Sequence, residues 1–216
     1  MQDEYITILD NASGEIIIKK SRFIASLYPV ETEDDANAII ESLRKKYWDA
    51  THNCYAYIIG TQNPITRCSD DGEPSRTAGK PMLDVLLAHK LTNVLAVVTR
   101  YFGGTLLGTG GLVKAYQSAV LEGLKNCQII TKQLGFQTNI TTDYNLIGKL
   151  QHYAATESLA ILSCEYTDIV CLTLLIPSRK LDMVTKKITE LTNGSAIINI
   201  SKQVYFTIID GEALLL

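Results

Sequence analysis

The sequence predicts an α+β protein with two domains. Its 216 residues, 46% of them apolar and 20% charged, are enough to build one large core or two smaller ones. Helical and strand-like hydrophobic periodicities alternate along the chain. In the second half they follow the order βαββαβ, which is the split βαβ pattern of ferredoxin-like domains. We therefore expect one domain over residues 1–133 and a ferredoxin-like domain over residues 134–216.

Turn residues, caps and apolar spacing predict the elements of the first domain. Two strand-like runs flank a turn-like segment at residues 11–14, which predicts an opening hairpin. Thr32 and Asp35 have the spacing of a capping box at the start of an amphipathic helix. A long polar loop is predicted over residues 60–80. The predicted strands are 5–9, 15–19, 23–30, 54–59 and 93–99. Two helices are predicted over 32–46 and 112–126. Another helix should start between residues 77 and 81 and end near residue 90.

The second domain differs from the first in its loops, because no Gly-rich segments separate its predicted elements. Its clearest helix follows Pro177, with Ser178 as a cap, and stops at Asn193 and Gly194. The predicted strands are 134–142, 158–166, 168–176 and 195–207, and the predicted helices are 143–156 and 178–192.

Composition argues against several classes of protein. A net charge of −3 and a pI near 5.6 argue against a protein that coats nucleic acid over its whole surface, but they allow a local basic site. The N-terminus lacks the pattern of a secretory signal, and charged residues interrupt the most apolar stretch, 82–98, so no membrane span is predicted. Five cysteines without a CxxC pair are typical of free thiols in a reducing compartment. We expect a cytoplasmic protein without a membrane partner.

Glycines are concentrated in one segment, where five of the fourteen fall between Gly103 and Gly111. The segment lies between a buried strand and a helix, so it exposes backbone N–H groups at a helix N-terminus, where phosphate or another anion can bind. A Walker loop is excluded because Thr109 follows Gly108, and a dinucleotide fingerprint is excluded because Val113 occupies its third glycine position. The alternative is that these glycines only permit a tight turn and close packing.

The long polar loop carries three carboxylates, those of Asp70, Asp71 and Glu73. They are candidates to hold Mg²⁺, a hard cation that prefers oxygen ligands. The alternative is a turn whose carboxylates accept backbone hydrogen bonds and pair with nearby basic residues. This loop and the Gly-rich turn both lead into helix N-termini, so we expect them to converge on one surface.

The centre of the chain is weakly basic. Residues 67–114 carry six basic and four acidic side chains, although the whole chain is acidic. Tyr101, Phe102 and Tyr116 lie within this segment or just beyond it. Basic groups with aromatic rings suit single-stranded nucleic acid, because phosphates meet the charges and bases stack on the rings. Phe102 and Tyr116 are equally suited to places in the core.

Four residue strings in these segments resemble the Impact family, and in particular its bacterial YigZ-like members. The strings are SDDGEP at 69–74, TAGKP at 77–81, RYFGG at 100–104 and LGTGGLVKAY at 107–116. The resemblance is strong over residues 21–126 and weaker, by pattern, over the second half.

The resemblance implies a fold and a cellular role. It implies a two-layer α/β first domain like that of a ribosomal protein, and a second domain similar to one in the translocation elongation factor. It also implies a cytoplasmic role around translation, since eukaryotic relatives are linked to restraint of the amino-acid-starvation kinase pathway. The sequence departs from the family pattern at Arg76, where glycine is usual, and at Leu106, where lysine is usual.

These observations favour a non-enzymatic, translation-associated binding protein that recognises RNA or a phosphate-rich, ribosome-associated surface. One alternative is a Mg-dependent enzyme acting on a nucleotide or phosphoester, and another is a protein–protein regulator of translation. No cofactor other than that Mg²⁺ is expected, and no residue pattern specifies a catalytic group, a particular ligand or an oligomeric state. The predicted ligand-binding residues are Arg76, Lys80, Arg100, Tyr101, Gly103, Gly104, Thr105, Gly108, Thr109, Gly110, Gly111 and Lys114.

Overall fold

The computed structural model describes residues 3–216. The chain folds into two compact units, each with its own hydrophobic packing. The first unit is Tyr5–Ile130, and the second is Thr131–Leu216 together with Asp3 and Glu4. The first unit contains the segments in which the sequence concentrates its candidate binding residues.

A five-stranded antiparallel sheet in the order β2-β3-β6-β4-β5 organises the first unit. Its central strand, β6, is buried along nearly its whole length. The strands of this sheet are β2 (Ala12–Ile18), β3 (Ser21–Pro29), β4 (His52–Ile59), β5 (Ile65–Ser69) and β6 (Val94–Tyr101), and a further strand outside it is β1 (Glu4–Ile8). The helices are α1 (Glu33–Lys46), α2 (Gly79–Ala88) and α3 (Gly108–Lys125).

Helices cover both faces of this sheet, so the first unit has three layers and the predicted two-layer arrangement is wrong. Alternate residues of β6, such as Val94 and Ala96, pack with α2 and α3 on one face. The residues between them, such as Leu95, pack with Ile40 and Leu43 of α1 on the other face. A strand that is apolar on both sides must be covered on both sides, and the almost uniformly apolar sequence of β6 carried that signal.

Local signals predicted α1 well, but the predicted opening hairpin is wrong. Thr32 and Asp35 form the capping box, and α1 ends at Lys46. No ladder joins β1 to β2 among the residues described; β2 instead pairs with β3 through the two-residue turn Lys19-Lys20. Both lysines have positive φ, 46° and 66°, as such a turn requires. Asn and Gly are the usual residues there, so two lysines carry no turn signal.

The segments around the candidate site also differ from expectation. The predicted 60–80 loop contains an edge strand, β5, which pairs with β4. Helix α3 begins at Gly108, four residues before the predicted start, so the last glycines of the Gly-rich turn belong to its first turn.

The second unit follows the predicted order of elements, and one more strand, β11, is added at its end. Its antiparallel sheet has the order β11-β10-β7-β9-β8, and α4 and α5 pack on one face, where Leu150 and Val184 meet Leu172 of β9. No helix within residues 3–216 is long and apolar enough to cross a membrane. The elements are β7 (Ile129–Thr142), α4 (Tyr144–Thr156), β8 (Ala160–Tyr166), β9 (Val170–Pro177), α5 (Leu181–Leu191), β10 (Ile197–Ile209) and β11 (Glu212–Leu215).

Gly103 and Gly110 should respond oppositely to alanine. A Cβ at Gly103 would lie 2.0 Å from the backbone carbon of Lys20, so we expect Gly103→Ala to lower the free energy of unfolding by about 2 kcal/mol or more. A Cβ at Gly110 would meet nothing within 4 Å, and alanine there lowers the conformational entropy of the unfolded chain. Gly110→Ala should therefore raise the free energy of unfolding by up to about 1 kcal/mol. Urea denaturation followed by circular dichroism measures both. Equal effects of the two variants would contradict the close approach of Gly103 to β3.

Candidate functional site

A cavity of about 430 Å³ lies between the loop that contains Glu73 and the start of α3. The two segments expected to converge on one surface therefore do so. The cavity is lined by Thr51, His52, Gly72, Glu73, Pro74, Arg100, Phe102, Leu106, Leu107, Gly108, Thr109 and Leu112.

A buried ion pair between Arg100 and Glu73 contributes to the wall of the cavity. Arg100 Nη1 donates to Glu73 Oε1 over 2.5 Å, and Tyr116 Oη donates to the same oxygen over 2.8 Å. Arg100 Nη2 also approaches Ser21 Oγ at 3.4 Å. Burial, followed by the neighbouring Cys54 and Glu73, raises the pKa of Tyr116, so its phenol stays protonated and continues to donate. The pair joins the end of β6 to the loop before α2.

One donor of Arg100 has no partner. Its Nε is buried and makes no hydrogen bond to any residue that the structure describes. The rings of Phe23 and Phe102 lie 5.3 Å and 5.6 Å from the guanidinium carbon, so apolar surface surrounds this donor. A buried N–H without an acceptor is costly, and Arg100 lines the cavity.

His52 enters the cavity with a defined tautomer. Its Nδ1 lies 2.8 Å from the carbonyl oxygen of Asp71, an atom that only accepts, so Nδ1 carries the proton. Its Nε2 is 3.8 Å from Glu73 Oε2. Gly72 suits the turn beside the imidazole because it has φ 87°, a conformation that side chains other than glycine rarely adopt. The Nε2 of His52 therefore lies beside the ion pair.

The N-terminus of α3 opens on the same cavity without a cap. Leu107 occupies the N-cap position and cannot accept a hydrogen bond through its side chain, and the first turn has no acidic residue. The backbone N–H groups of Gly108, Thr109 and Gly110 have no intrahelical acceptor, and no described side chain bonds them. The helix dipole adds partial positive charge at this point. This end of α3 favours an anion.

The glycines of the turn have different roles. Gly103 permits close packing, since a Cβ there would overlap the backbone of Lys20 and Ser21. Gly104 and Gly108 have positive φ, 82° and 70°, which the turn into α3 requires. These observations fit the tight turn and close packing, and anion binding by the Gly-rich segment stays a prediction.

Hydrogen bonds from protein donors occupy the three carboxylates considered as Mg²⁺ ligands, which favours the alternative, a hydrogen-bonded turn. Asp70 accepts from the backbone N–H groups of Arg76, Ala78 and Gly79, which places its charge at the start of α2. Asp71 accepts from the N–H of Asn53 and from Arg44. Glu73 accepts from Arg100 and Tyr116. Among residues 3–216, no group of three or more His, Cys, Asp or Glu side chains is arranged to hold a metal ion.

The structure separates the predicted ligand-binding residues. Arg100, Gly108 and Thr109 line the cavity. Lys80 is outside it and pairs with Asp84. The remaining predicted residues are not part of the lining, and they are Arg76, Tyr101, Gly103, Gly104, Thr105, Gly110, Gly111 and Lys114.

Sequence reasoning missed His52 and the role of Glu73. The register of the sheet places His52 directly opposite Arg100, and that pairing between β4 and β6 is not visible along the chain. One signal was present: Arg100 is the one charged residue of β6, and a buried cation requires an acidic partner. The carboxylates at 70–73 were candidates for that partner.

The Impact N-terminal domain model matches residues 19–124, and a domain of unknown function, DUF1949, matches residues 140–195. The chain is 38% identical to IMPACT family member YvyE of Bacillus subtilis, over 95% of this chain and 94% of the relative. The chain belongs to the IMPACT family. IMPACT family member YigZ of Escherichia coli is 36% identical over 82% of this chain and 88% of its own length.

A solved structure described as that of a hypothetical protein supports the fold of this IMPACT family member. It has a TM-score of 0.61 and 31% identity, and the match covers 94% of this chain and 99% of the other. All residues that line the cavity fall within the part matched by the Impact N-terminal domain model.

The two departures from the family pattern have structural consequences. Arg76 has φ 63°, a conformation that glycine adopts freely, which explains why glycine suits this position. Its side chain is exposed and lies outside the cavity. Leu106 is 83% exposed at the cavity, so it contributes apolar surface where a lysine would contribute charge.

Removing the charge of Glu73 should destabilise the first unit strongly. We expect Glu73→Gln to lower the free energy of unfolding by about 3–5 kcal/mol, because Arg100 would remain buried without a carboxylate. Glu122→Gln is the matched control; it breaks the Glu122–Lys125 pair on the surface of α3 and should cost less than about 1 kcal/mol. Urea denaturation measures both variants. Similar small decreases in stability would show that the Arg100–Glu73 pair does not hold the loop.

Proposed function

We propose that this IMPACT family member is a translation-related regulatory protein that binds a phosphate-bearing partner, RNA or a phosphate-rich ribosome-associated surface, at the cavity. The observation that carries this proposal is the uncapped N-terminus of α3, which opens on the cavity that Arg100 also lines. Helix N-termini bind phosphate through backbone N–H groups and the helix dipole. The role around translation rests on the family resemblance.

The charges of the cavity favour an anion. Arg100 neutralises Glu73, the acidic residue in the lining, so the positive end of α3 is not opposed by a free carboxylate. Thr51 and Thr109 supply hydroxyl groups that can donate to phosphate oxygens.

The shape of the cavity favours a nucleotide over a bare phosphate. Its volume, about 430 Å³, is within the range of small-ligand sites. Phe102, Leu106 and Leu112 supply apolar walls on which a base or sugar can rest. One nucleotide of RNA combines these two parts: a phosphate anion that would bind at α3 and a base or sugar that would rest on the apolar walls beside it.

We further propose that residues 1–133 and 134–216 act as two domains, the second with a ferredoxin-like fold. The division of the structure after Ile130 and the strand order β10-β7-β9-β8 with two helices on one face support this.

The two alternatives differ in their support. A Mg-dependent enzyme for nucleotides or phosphoesters lacks free ligands at Asp70, Asp71 and Glu73, whose carboxylates bond protein donors. A protein–protein regulator predicts partner capture that is insensitive to RNase.

Substitution at Thr109 tests the proposed site. An aspartate there would place a carboxylate in the first turn of α3, where it satisfies the helix dipole and repels phosphate. We expect Thr109→Asp to weaken the binding of a 3′-labelled single-stranded oligoribonucleotide, measured by fluorescence anisotropy, by about ten-fold or more. Thr109→Asn is the neutral control and should bind within about two-fold of the wild type.

Stability and salt dependence complete this test. Thr109→Asp should unfold no earlier than the wild type, because acidic residues in a first helical turn are favourable. Affinity of the wild type should fall as salt rises, since binding to phosphates releases counterions. Salt-independent binding, or no binding to RNA or ribosome preparations, would overturn the proposal.

A further inference from the structure

We propose that an aromatic platform beside the cavity, formed by Tyr47, Trp48 and Tyr101, stacks the bases of single-stranded RNA. This inference rests on the proposed function, because it names the form of RNA that the same end of the sheet accepts. The first observation is Trp48, the one tryptophan of the chain, which is 83% exposed. Tryptophan is normally well buried, so a bare indole on the surface is available for a partner.

Hydrogen bonds fix the backbone turn that carries this tryptophan. Trp48 lies in the turn after α1, which the bond from Ala50 N–H to the Tyr47 carbonyl closes at 3.0 Å. The next residue, Asp49, accepts a hydrogen bond of 2.9 Å from Tyr101 Oη at the end of β6. Desolvation and this bond to Asp49 raise the pKa of Tyr101, so the phenol remains a donor at neutral pH. The turn that carries Trp48 is therefore tied to Tyr101 before a ligand arrives.

Basic side chains surround the platform. Arg22 lies over the Tyr101 ring, 5.8 Å from its centre, and Lys46 lies 5.0 Å from the centre of the Tyr47 ring. The nearby carboxylates are engaged: Glu15 binds Arg22 and Asp49 accepts from Tyr101. Three further lysines are exposed and form no ion pair within residues 3–216. These are Lys19, Lys20 and Lys45.

The Lys19-Lys20 turn has two lysines where residues that favour this turn type are usual. Both residues have positive φ at the tip of the β2–β3 hairpin, where Asn-Gly would fit at lower cost. The backbone of Lys20 packs against Gly103, so the turn lies beside the Gly-rich segment. Two charged residues in unfavourable conformations next to an anion site indicate a role for their charge.

The platform and the cavity adjoin at the end of β6, where the chain passes from one to the other. Tyr101 belongs to the platform and the next residue, Phe102, lines the cavity. Phe102 is 46% exposed, and its N–H donates to Thr51 Oγ1, another lining residue, over 3.2 Å. A nucleotide whose phosphate lies at α3 would thus have neighbours that reach Tyr101 and Trp48.

This arrangement favours single strands over duplexes. Stacking needs bases whose faces are free, and in a duplex those faces are covered by adjacent base pairs. Stacking on aromatic residues tolerates any base, so little sequence preference is expected. Protein partners also use tryptophan and tyrosine, but the unpaired lysines around the rings match a phosphate backbone more closely.

The single tryptophan makes the platform directly measurable. We expect an unlabelled single-stranded RNA 12-mer to quench Trp48 fluorescence, and the same sequence in a duplex or inorganic phosphate alone to leave it unchanged. Trp48→Ala should weaken binding of the labelled 12-mer by about five-fold or more, and Trp48→Phe should keep most of the affinity. Leu87→Ala, which removes an exposed apolar side chain from the end of α2, should bind as the wild type does.

A turn variant separates charge from folding. Lys19→Asn with Lys20→Gly removes two charges and supplies the residues that this turn prefers, so it should be at least as stable as the wild type. We expect it to bind RNA more weakly and to reduce the slope of log affinity against log salt by about 0.7 for each phosphate that the lysines no longer neutralise.

The outcomes distinguish this inference from the proposed function. If Thr109→Asp abolishes RNA binding but Trp48→Ala and the turn variant bind normally, the platform is overturned and the cavity stands. If the Trp48 and turn variants bind RNA more weakly but Thr109→Asp does not, the platform stands and the cavity proposal fails. If Trp48→Ala fails to bind a purified protein partner after RNase treatment but binds RNA as the wild type does, the platform binds protein and this inference is wrong.

Discussion

The buried ion pair between Arg100 and Glu73 is the interaction on which the candidate site depends. Two charges removed from water are stable together only when their geometry is good and other donors complete the site. Tyr116 supplies such a donor to Glu73, and Ser21 approaches Arg100 from β3. The pair therefore attaches the loop before α2 to the central strand, because moving the loop away would leave a buried cation without a partner.

Once Glu73 is held, the rest of the acidic loop has a structural role. Asp70 is placed where it can satisfy the N–H groups at the start of α2, and Asp71 bonds Asn53 and presents its carbonyl to His52. A run of carboxylates that looks like a cation site in sequence is thus a set of acceptors for protein donors. The cavity is consequently lined by a neutralised pair, an imidazole and the positive end of α3.

Sequence and structure agree where the determining interactions are local. The capping box of Thr32 and Asp35 predicted the start of α1, and the apolar run of β6 predicted a buried strand. The hairpin was missed because its turn is Lys-Lys, a pair without turn propensity that the sheet nevertheless holds at positive φ. The number of layers was missed because it depends on which helix covers which face, and that is a contact between distant segments.

For the site, the residues read along the chain were sufficient to identify the family strings, the Gly-rich entry to α3, and Arg100, Gly108 and Thr109 as residues of interest. Their chemistry is local, since a helix N-terminus after glycines exposes N–H groups in any fold. Three facts required the folded arrangement: Glu73 neutralises Arg100, His52 faces the same cavity, and Trp48 is exposed close to Tyr101. These facts depend on strand register and on which charges lose water together, and no pattern along one chain specifies either.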